Sequence, residues 1–246
     1  MPFHEGVFKF GVWAKNDLKK QGVEADVYYV PVAIRYSYSQ PMDNDIDAAL
    51  TRLEEYLELG EPLEDRYKRL LRIGTEVVKG YEAAYGVKPT EEKSLNDRIQ
   101  HMKNLWVERA SGALGLKDNP ELDLGDRIRA LINALDAISI DQEDSTEFER
   151  RTIQRRQRET EALYKDLERA MRFLATDDNY VAKKPTDERY LEVIAHLEEE
   201  LFGISDVRGP KRALVKIGEP VKMNQPAAEI CGEIERRVEA LLSNPD

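Results

Sequence analysis

The sequence predicts an α/β fold that is mostly helical overall, with an incomplete sheet and a large all-helical insertion. Strand-like segments occur near the two ends, at 27–38 and 212–223, and helical periodicity fills the stretch between them. A lone strand leaves its backbone groups unpaired, so we expect the two segments to share one sheet. The predicted domains are therefore a partial α/β domain, formed by 1–42 with 207–246, and an inserted helical bundle over 43–206.

The first element is a predicted helix from residue 4 to about 21. Its apolar residues occupy most of its faces, so we expect other elements to cover it; they include Val7, Phe8, Phe10 and Trp13. The segment VYYVPVAIRYSY follows at 27–38, and its β-branched and aromatic side chains predict a buried strand. Pro31 cannot donate to a ladder, which predicts an edge, a bulge or a place where the backbone faces another group.

Six helices are predicted inside the insertion, because apolar residues recur there every three or four positions. Their approximate ranges are 43–57, 63–86, 95–111, 124–138, 145–175 and 187–202. The fifth helix contains the basic cluster RRTIQRRQR at 150–158. Flanking glutamates predict a solvated helix face for this cluster, and contact with anionic lipid is the less favoured alternative.

After the insertion, RALVKIGEPVKM at 212–223 predicts a short strand that ends at Gly218 and Pro220. A last helix is predicted over 226–242. Cys231 lies on this helix, and we expect it to be a small buried hydrophobe and not a nucleophile.

The balance of charge argues against two classes of partner. The chain has 37 Lys and Arg against 48 Asp and Glu, a net charge of -11, which disfavours nucleic acid and a broad polybasic membrane patch. One cysteine and three scattered histidines give neither a disulfide nor a zinc spacing, so we expect no metal and no cofactor. The sequence has neither a signal-peptide pattern nor a long apolar span. The expected location is the cytoplasm, with peripheral membrane contact as a further expectation.

Three segments, PFHEGVFKFGVWAK, VYYVPVAIRYSY and ALVKIGEPV, together resemble the C-terminal half of a glycerolipid acyltransferase. This family contains lysophosphatidic acid acyltransferase, the 1-acyl-sn-glycerol-3-phosphate acyltransferase. The family elements are Phe-x-x-Gly, Val-Pro-Val-x-Ile and Ile-Gly-Glu-Pro, and the matching residues are Phe3 and Gly6, then Val30, Pro31, Val32 and Ile34, then Ile217, Gly218, Glu219 and Pro220. The resemblance covers roughly 1–40 and 207–242, about a third of the chain.

The resemblance implies acyl transfer from acyl-CoA or an acyl-carrier protein to a lysophospholipid such as 1-acyl-glycerol-3-phosphate. It implies that Val30, Pro31 and Val32 line the cleft for the acyl donor or the acceptor. It also implies a sheet like that of the family, of which this chain would hold only part.

The catalytic motif of the family is missing from the sequence. Family members carry His-x-x-x-x-Asp, in which the histidine is the general base, and a Glu-Gly-Thr-Arg-type block that binds phosphate. The residues five positions after the three histidines are Lys9, Trp106 and Leu201. We therefore name no catalytic residue, and we expect the chain to be a fragment that is inactive alone.

Three alternatives remain open at this stage. The helical block 43–206 could instead be the functional part, as a non-catalytic protein-interaction module on a remnant acyltransferase scaffold. Arg35 could bind a phosphate, although an arginine at a strand end more often reaches water or pairs with a carboxylate. Phe8, Phe10 and Trp13 could lie on a membrane surface, although a place in the core is more usual. The oligomeric state is not predicted.

Overall fold

The structure is a computed structural model, and it is mostly helical, as the sequence predicts, with 64% helix and 9% strand. It describes residues 5–88, 93–138, 147–173, 179–224 and 226–243. For a few positions in these ranges only the backbone is described: 5, 7, 138, 147–158, 179 and 227.

The chain forms two compact units. The terminal unit is 1–40 with 209–246, and the helical unit is 41–208. The boundaries predicted from the sequence each lie two residues from these.

The described elements follow one another along the chain as α1 (Glu5–Lys20), β1 (Tyr28–Tyr29), β2 (Val32–Tyr38), α2 (Asp43–Tyr56), α3 (Arg66–Ala84), α4 (Leu95–Leu114), α5 (Leu124–Ile138), α6 (Glu147–Arg172), α7 (Asn179–Ala182), α8 (Asp187–Phe202), β3 (Lys211–Ile217), β4 (Val221–Lys222) and α9 (Ala227–Ser243).

The two ends of the chain meet in antiparallel pairs of strands. β2 pairs with β3, from Val32 opposite Ile217 to Tyr38 opposite Lys211, and β1 pairs with β4. β2 and β3 are called the ribbon below. The predicted pairing of the two strand segments is thus confirmed. Each sheet of the described residues has two strands, so a larger sheet like that of the acyltransferases remains a proposal.

The prediction of one buried strand over 27–38 is wrong in two respects. Pro31 separates β1 from β2, because it has no N–H to give to a ladder. β2 is also covered on one face only, since Ala33 is 3% exposed and its neighbour Ile34 is 50% exposed. The aromatic and β-branched residues therefore predicted the formation of a strand correctly, but the prediction that this strand is buried was wrong.

The core of the terminal unit lies where α1, α9 and the short strand pair meet. Its buried residues are Phe8, Met223, Ile230, Cys231 and Ile234, so the prediction that Cys231 is buried is confirmed. The ring of Tyr29 packs against Phe8 with centroids 5.2 Å apart. The Tyr29 hydroxyl donates to the Phe8 carbonyl oxygen at 2.5 Å, which ties β1 to α1.

The prediction that α1 is covered on most faces is wrong. Phe8 and Gly11 are buried, but Phe10 and Trp13 are 63% and 56% exposed. These two rings form an edge-to-face pair with centroids 5.2 Å apart. Among the described elements, α1 packs mainly against α9, and one neighbouring helix covers only one side.

The helical unit combines an apolar core with carboxylates that are fully buried and paired. Trp106, Leu50 and Ile194 are among its largest buried side chains. Glu82 accepts two hydrogen bonds from the Arg98 guanidinium, at 2.9 and 2.7 Å. A buried ion pair of this kind costs desolvation energy, so it supports the fold only while both partners are present.

Glu54 is a buried carboxylate that pairs with two arginines. It is 2% exposed, and it accepts hydrogen bonds from Arg69 at 2.7 Å and from Arg72 at 2.6 Å. Burial alone would raise the pKa of Glu54, but the hydrogen bonds and charges of the two arginines outweigh it and hold the pKa below its usual value.

Substitution of this carboxylate tests the buried pairing. Glu54→Gln should destabilise the helical unit by about 3–5 kcal/mol near neutral pH, because Arg69 keeps its charge in a buried site. Urea unfolding followed by circular dichroism measures the change. The control is Glu76→Gln, whose partner Lys79 is exposed, and it should change stability by about 0.5 kcal/mol or less.

The same variant should change the acid dependence of stability. Because the pKa of folded Glu54 is lowered, its contribution is complete above about pH 4.5 and is lost as the pH falls through the folded pKa. The unmodified chain should therefore lose stability more steeply than Glu54→Gln below that pH. Equal slopes for the two proteins would contradict this account.

Candidate functional site

The segment predicted to line a cleft, Val30 to Val32, lies against Gly218 of the Ile-Gly-Glu-Pro element. The Gly218 N–H donates to the Pro31 carbonyl oxygen at 2.8 Å. A β-carbon on Gly218 would stand 2.9 Å from Cγ of Pro31 and 3.2 Å from Cδ1 of Leu241. The structure therefore brings together two segments of the family resemblance that are far apart in sequence, and it leaves room only for glycine at their junction.

The junction is held from α9 as well. Arg237 donates to the Glu219 carbonyl oxygen at 2.9 Å, and its Nε donates to Glu233 at 2.7 Å. These contacts fix the turn that follows Gly218, so the Ile-Gly-Glu-Pro element is anchored to a helix on one side and to Pro31 on the other.

One face of the ribbon is apolar and open. Four cross-strand pairs point to this side, because side chains directly opposite each other share a face. Three of them are apolar or aromatic: Val32 with Ile217, Ile34 with Val215, and Tyr36 with Ala213. The fourth pair, Tyr38 with Lys211, lies at the end of the ribbon. We call the six residues of the first three pairs the apolar face. Five of them are large side chains, with exposures between 44% for Val32 and 70% for Ile217. Along β2 the face extends for about 13 Å at the usual rise per residue.

The opposite face of the ribbon carries most of its charged residues. It consists of Ala33 opposite Lys216, Arg35 opposite Leu214, and Ser37 opposite Arg212. α9 packs against β2, and Ala33 is buried, whereas Arg35 and Arg212 are exposed. The ribbon is thus the reverse of the usual amphipathic sheet, because its more apolar face has no cover among the described elements.

The three predicted cleft residues are placed differently from one another. Pro31 is buried against Gly218, whereas Val30 and Val32 are 49% and 44% exposed. Only Val32 belongs to the apolar face. The first segment of the family resemblance is Phe-x-x-Gly. Its glycine, Gly6, lies in α1 and is exposed, whereas Phe3 lies outside the described residues.

Neither histidine that the structure describes forms a catalytic arrangement. His101 is exposed on α4, and His196 is half-buried on α8 with its Nδ1 lacking a hydrogen-bond partner. His4 and the side chains of the basic cluster 150–158 lie outside the described residues. Within the described part of the chain, no three His, Cys, Asp or Glu side chains are close enough to hold a metal ion.

Two titratable side chains of the short strand pair, Tyr29 and Lys222, form structural contacts. Burial raises the pKa of the Tyr29 hydroxyl, and a hydrogen bond from the Gly11 backbone offsets this only in part. Lys222 pairs with Asp26 at 2.6 Å, and this hydrogen bond raises the pKa of the ammonium group. Neither group is a general base at neutral pH.

The helical unit contains an apolar cavity lined by residues of α3, α4, α7 and α8 and by Phe173, which follows α6. Its volume is about 60 Å³, and its lining is almost wholly apolar.

Comparison of the chain with family models, with curated proteins and with solved structures found no match. None of the described helices combines the length and the apolar composition that a bilayer span requires.

The junction gives a direct test of local geometry. Gly218→Ala should destabilise the terminal unit by about 1–3 kcal/mol, because the new methyl group must displace Pro31 or Leu241 in a packed site. The matched control is Gly232→Ala on α9, where a β-carbon meets nothing within 4 Å. That change should stabilise the helix by about 1 kcal/mol. Thermal unfolding of both variants measures the difference, and two shifts in the same direction would contradict the predicted geometry.

Proposed function

We propose that the terminal unit is the substrate-binding part of a glycerolipid acyltransferase. The reaction is transfer of an acyl group from acyl-CoA or an acyl-carrier protein to a lysophospholipid such as 1-acyl-glycerol-3-phosphate. The observation that carries the proposal is the contact between Pro31 and Gly218 at 2.8 Å. It joins the Val-Pro-Val and Ile-Gly-Glu-Pro elements, which belong together if both serve one substrate site.

The apolar face supplies the chemistry that an acyl chain needs. Val32, Ile34, Val215 and Ile217 present aliphatic groups that are about half exposed or more. Covering such a surface with an acyl chain is favourable by roughly 25 cal/mol for each Å² of apolar area removed from water. In this proposal the acyl chain of the donor or acceptor lies along the ribbon, and Val30 to Val32 border the reactive end of that acyl chain.

The acyl transfer itself requires a base that this sequence does not offer at the family spacing. The acceptor hydroxyl oxygen attacks the thioester carbonyl carbon, the carbon–sulfur bond breaks, and the hydroxyl proton passes through the base to the departing thiolate. We propose that this base is supplied by polypeptide other than this chain. The chain alone should bind acyl substrate and show no transfer.

Photo-labelling tests acyl binding without requiring catalysis. A long-chain acyl-CoA with a diazirine at the end of its acyl chain should label peptides that contain β2 or β3. Ile34→Asp combined with Val215→Asp should reduce this labelling about tenfold or more, because each change places a charge against the acyl chain. Mass spectrometry of the digested protein measures the labelling.

The matched control is Val207→Asp, which changes a fully exposed valine of the helical unit and should leave labelling unchanged. Equal labelling of the double variant and the unmodified chain would contradict acyl binding on the ribbon. Acyl transfer by the chain alone would contradict the assignment of the base to other polypeptide.

A second proposal is that the helical unit is a non-catalytic protein-interaction module on a remnant scaffold. It is supported by Ile204 and Val207, two apolar residues after α8 that are 68% and 102% exposed. Under this proposal Ile204→Asp with Val207→Asp removes partner binding, whereas acyl labelling is absent from the unmodified chain.

A further inference from the structure

Two arginines on the polar face of the ribbon lie diagonally across from each other. Arg35 is opposite Leu214, and Arg212, two residues before Leu214, is opposite Ser37. We call Arg35 and Arg212 the arginine pair. Diagonal neighbours in an antiparallel ladder are about 7–8 Å apart and on the same side. Two arginine side chains at that separation can reach one ligand between them.

The arginine pair differs from the rest of the chain in its lack of partners. Every other arginine whose side chain the structure describes donates to a carboxylate or to a backbone carbonyl. Neither Arg35 nor Arg212 has such a partner among the described residues, and both are exposed. The lack of a carboxylate partner is unusual for this chain, because acidic residues outnumber basic ones by 48 to 37.

The ribbon keeps acidic groups away from the pair. β2 reads VAIRYSY and β3 reads KRALVKI, so neither strand contains Asp or Glu. Lys216 shares the face with the pair, opposite Ala33. The two strands themselves therefore place no acidic side chain beside the pair, in a chain whose net charge is -11.

We propose that the arginine pair binds the phosphate group of a phosphomonoester. Such a group carries about 1.5–2 negative charges at neutral pH and has three acceptor oxygens. Two guanidinium forks can bind it together, each through paired N–H donors, and the Ser37 hydroxyl opposite Arg212 is a further donor. One carboxylate can also bridge two arginines, as Glu54 does between Arg69 and Arg72, but it carries one charge and two acceptor oxygens, so the arginine pair should favour the phosphate group.

The inference rests on the ribbon and does not require the proposed acyl transfer. The phosphate can belong to a soluble metabolite or to the headgroup of a lipid, and the test separates these sources.

Binding to the full chain is measured by isothermal titration calorimetry with glycerol 3-phosphate at low ionic strength. Arg35→Gln and Arg212→Gln should each weaken binding roughly tenfold or more, because each removes charged hydrogen bonds to the anion. Arg35→Lys keeps the charge but loses the forked guanidinium, so its affinity should lie between those of the unmodified chain and Arg35→Gln. Acetate should not compete at equal concentration.

The matched control is Arg236→Gln, in the same unit, because Arg236 is exposed and already paired with Glu233. It should leave affinity unchanged. An equal loss in this control would show diffuse attraction to positive charge and would overturn the site. Absence of binding by the unmodified chain, or unchanged binding by both pair variants, would also overturn it.

Phosphatidylcholine vesicles with and without phosphatidic acid identify the source of the phosphate. Tighter binding to the phosphatidic acid vesicles than to glycerol 3-phosphate, lost in both pair variants, assigns the site to a lipid headgroup. Binding of glycerol 3-phosphate without vesicle binding assigns it to a soluble phosphomonoester. Neither result depends on Ile34 or Val215, so loss of acyl labelling and loss of phosphate binding report separate failures.

Discussion

The ladder between β2 and β3 is the interaction on which the terminal unit depends. It pairs residues that are about 180 positions apart in sequence, and it brings Pro31 into contact with Gly218. Without it, β2 would have no hydrogen-bonding partner among the described strands, and neither face of the ribbon would exist. Closing so long a loop costs conformational entropy, so the ladder requires the intervening chain to bring its own ends together.

The helical unit meets that requirement through α2 and α8. The Met42 N–H, at the start of the unit, donates to the Asp187 carboxylate at 3.0 Å. At the end of the unit, Arg208 binds the buried carboxylate of Glu198, and Arg52 pairs with Asp206 at 2.6 Å. The first and last residues of the unit are therefore fastened to the same helix pair. Once α2 and α8 have packed, the ribbon closes an effectively shorter loop, and the entropy cost of forming the ladder is lower.

The sequence predicted the helices well and the environment of the strands poorly. Periodicity located α8 at 187–202 without error, because an amphipathic helix records its buried side in its own spacing. Alternation in β2 likewise shows which residues share a face. It cannot show which face is covered, since that depends on α9, nearly 200 residues later. To predict that Arg35 and Arg212 lie close together, one also needs the register of the ladder between β2 and β3. No local pattern in the sequence specifies that register. The lack of the family's His-x-x-x-x-Asp spacing, by contrast, can be read directly from the sequence.

Hydrogen–deuterium exchange of the full chain, with and without a long-chain acyl-CoA, tests the central claim that the ribbon is the substrate-binding surface. The account predicts that the ligand slows exchange in peptides that cover 28–38 and 211–222 and leaves 41–208 unchanged. Slower exchange confined to the helical unit, or no change anywhere in the chain, would contradict it.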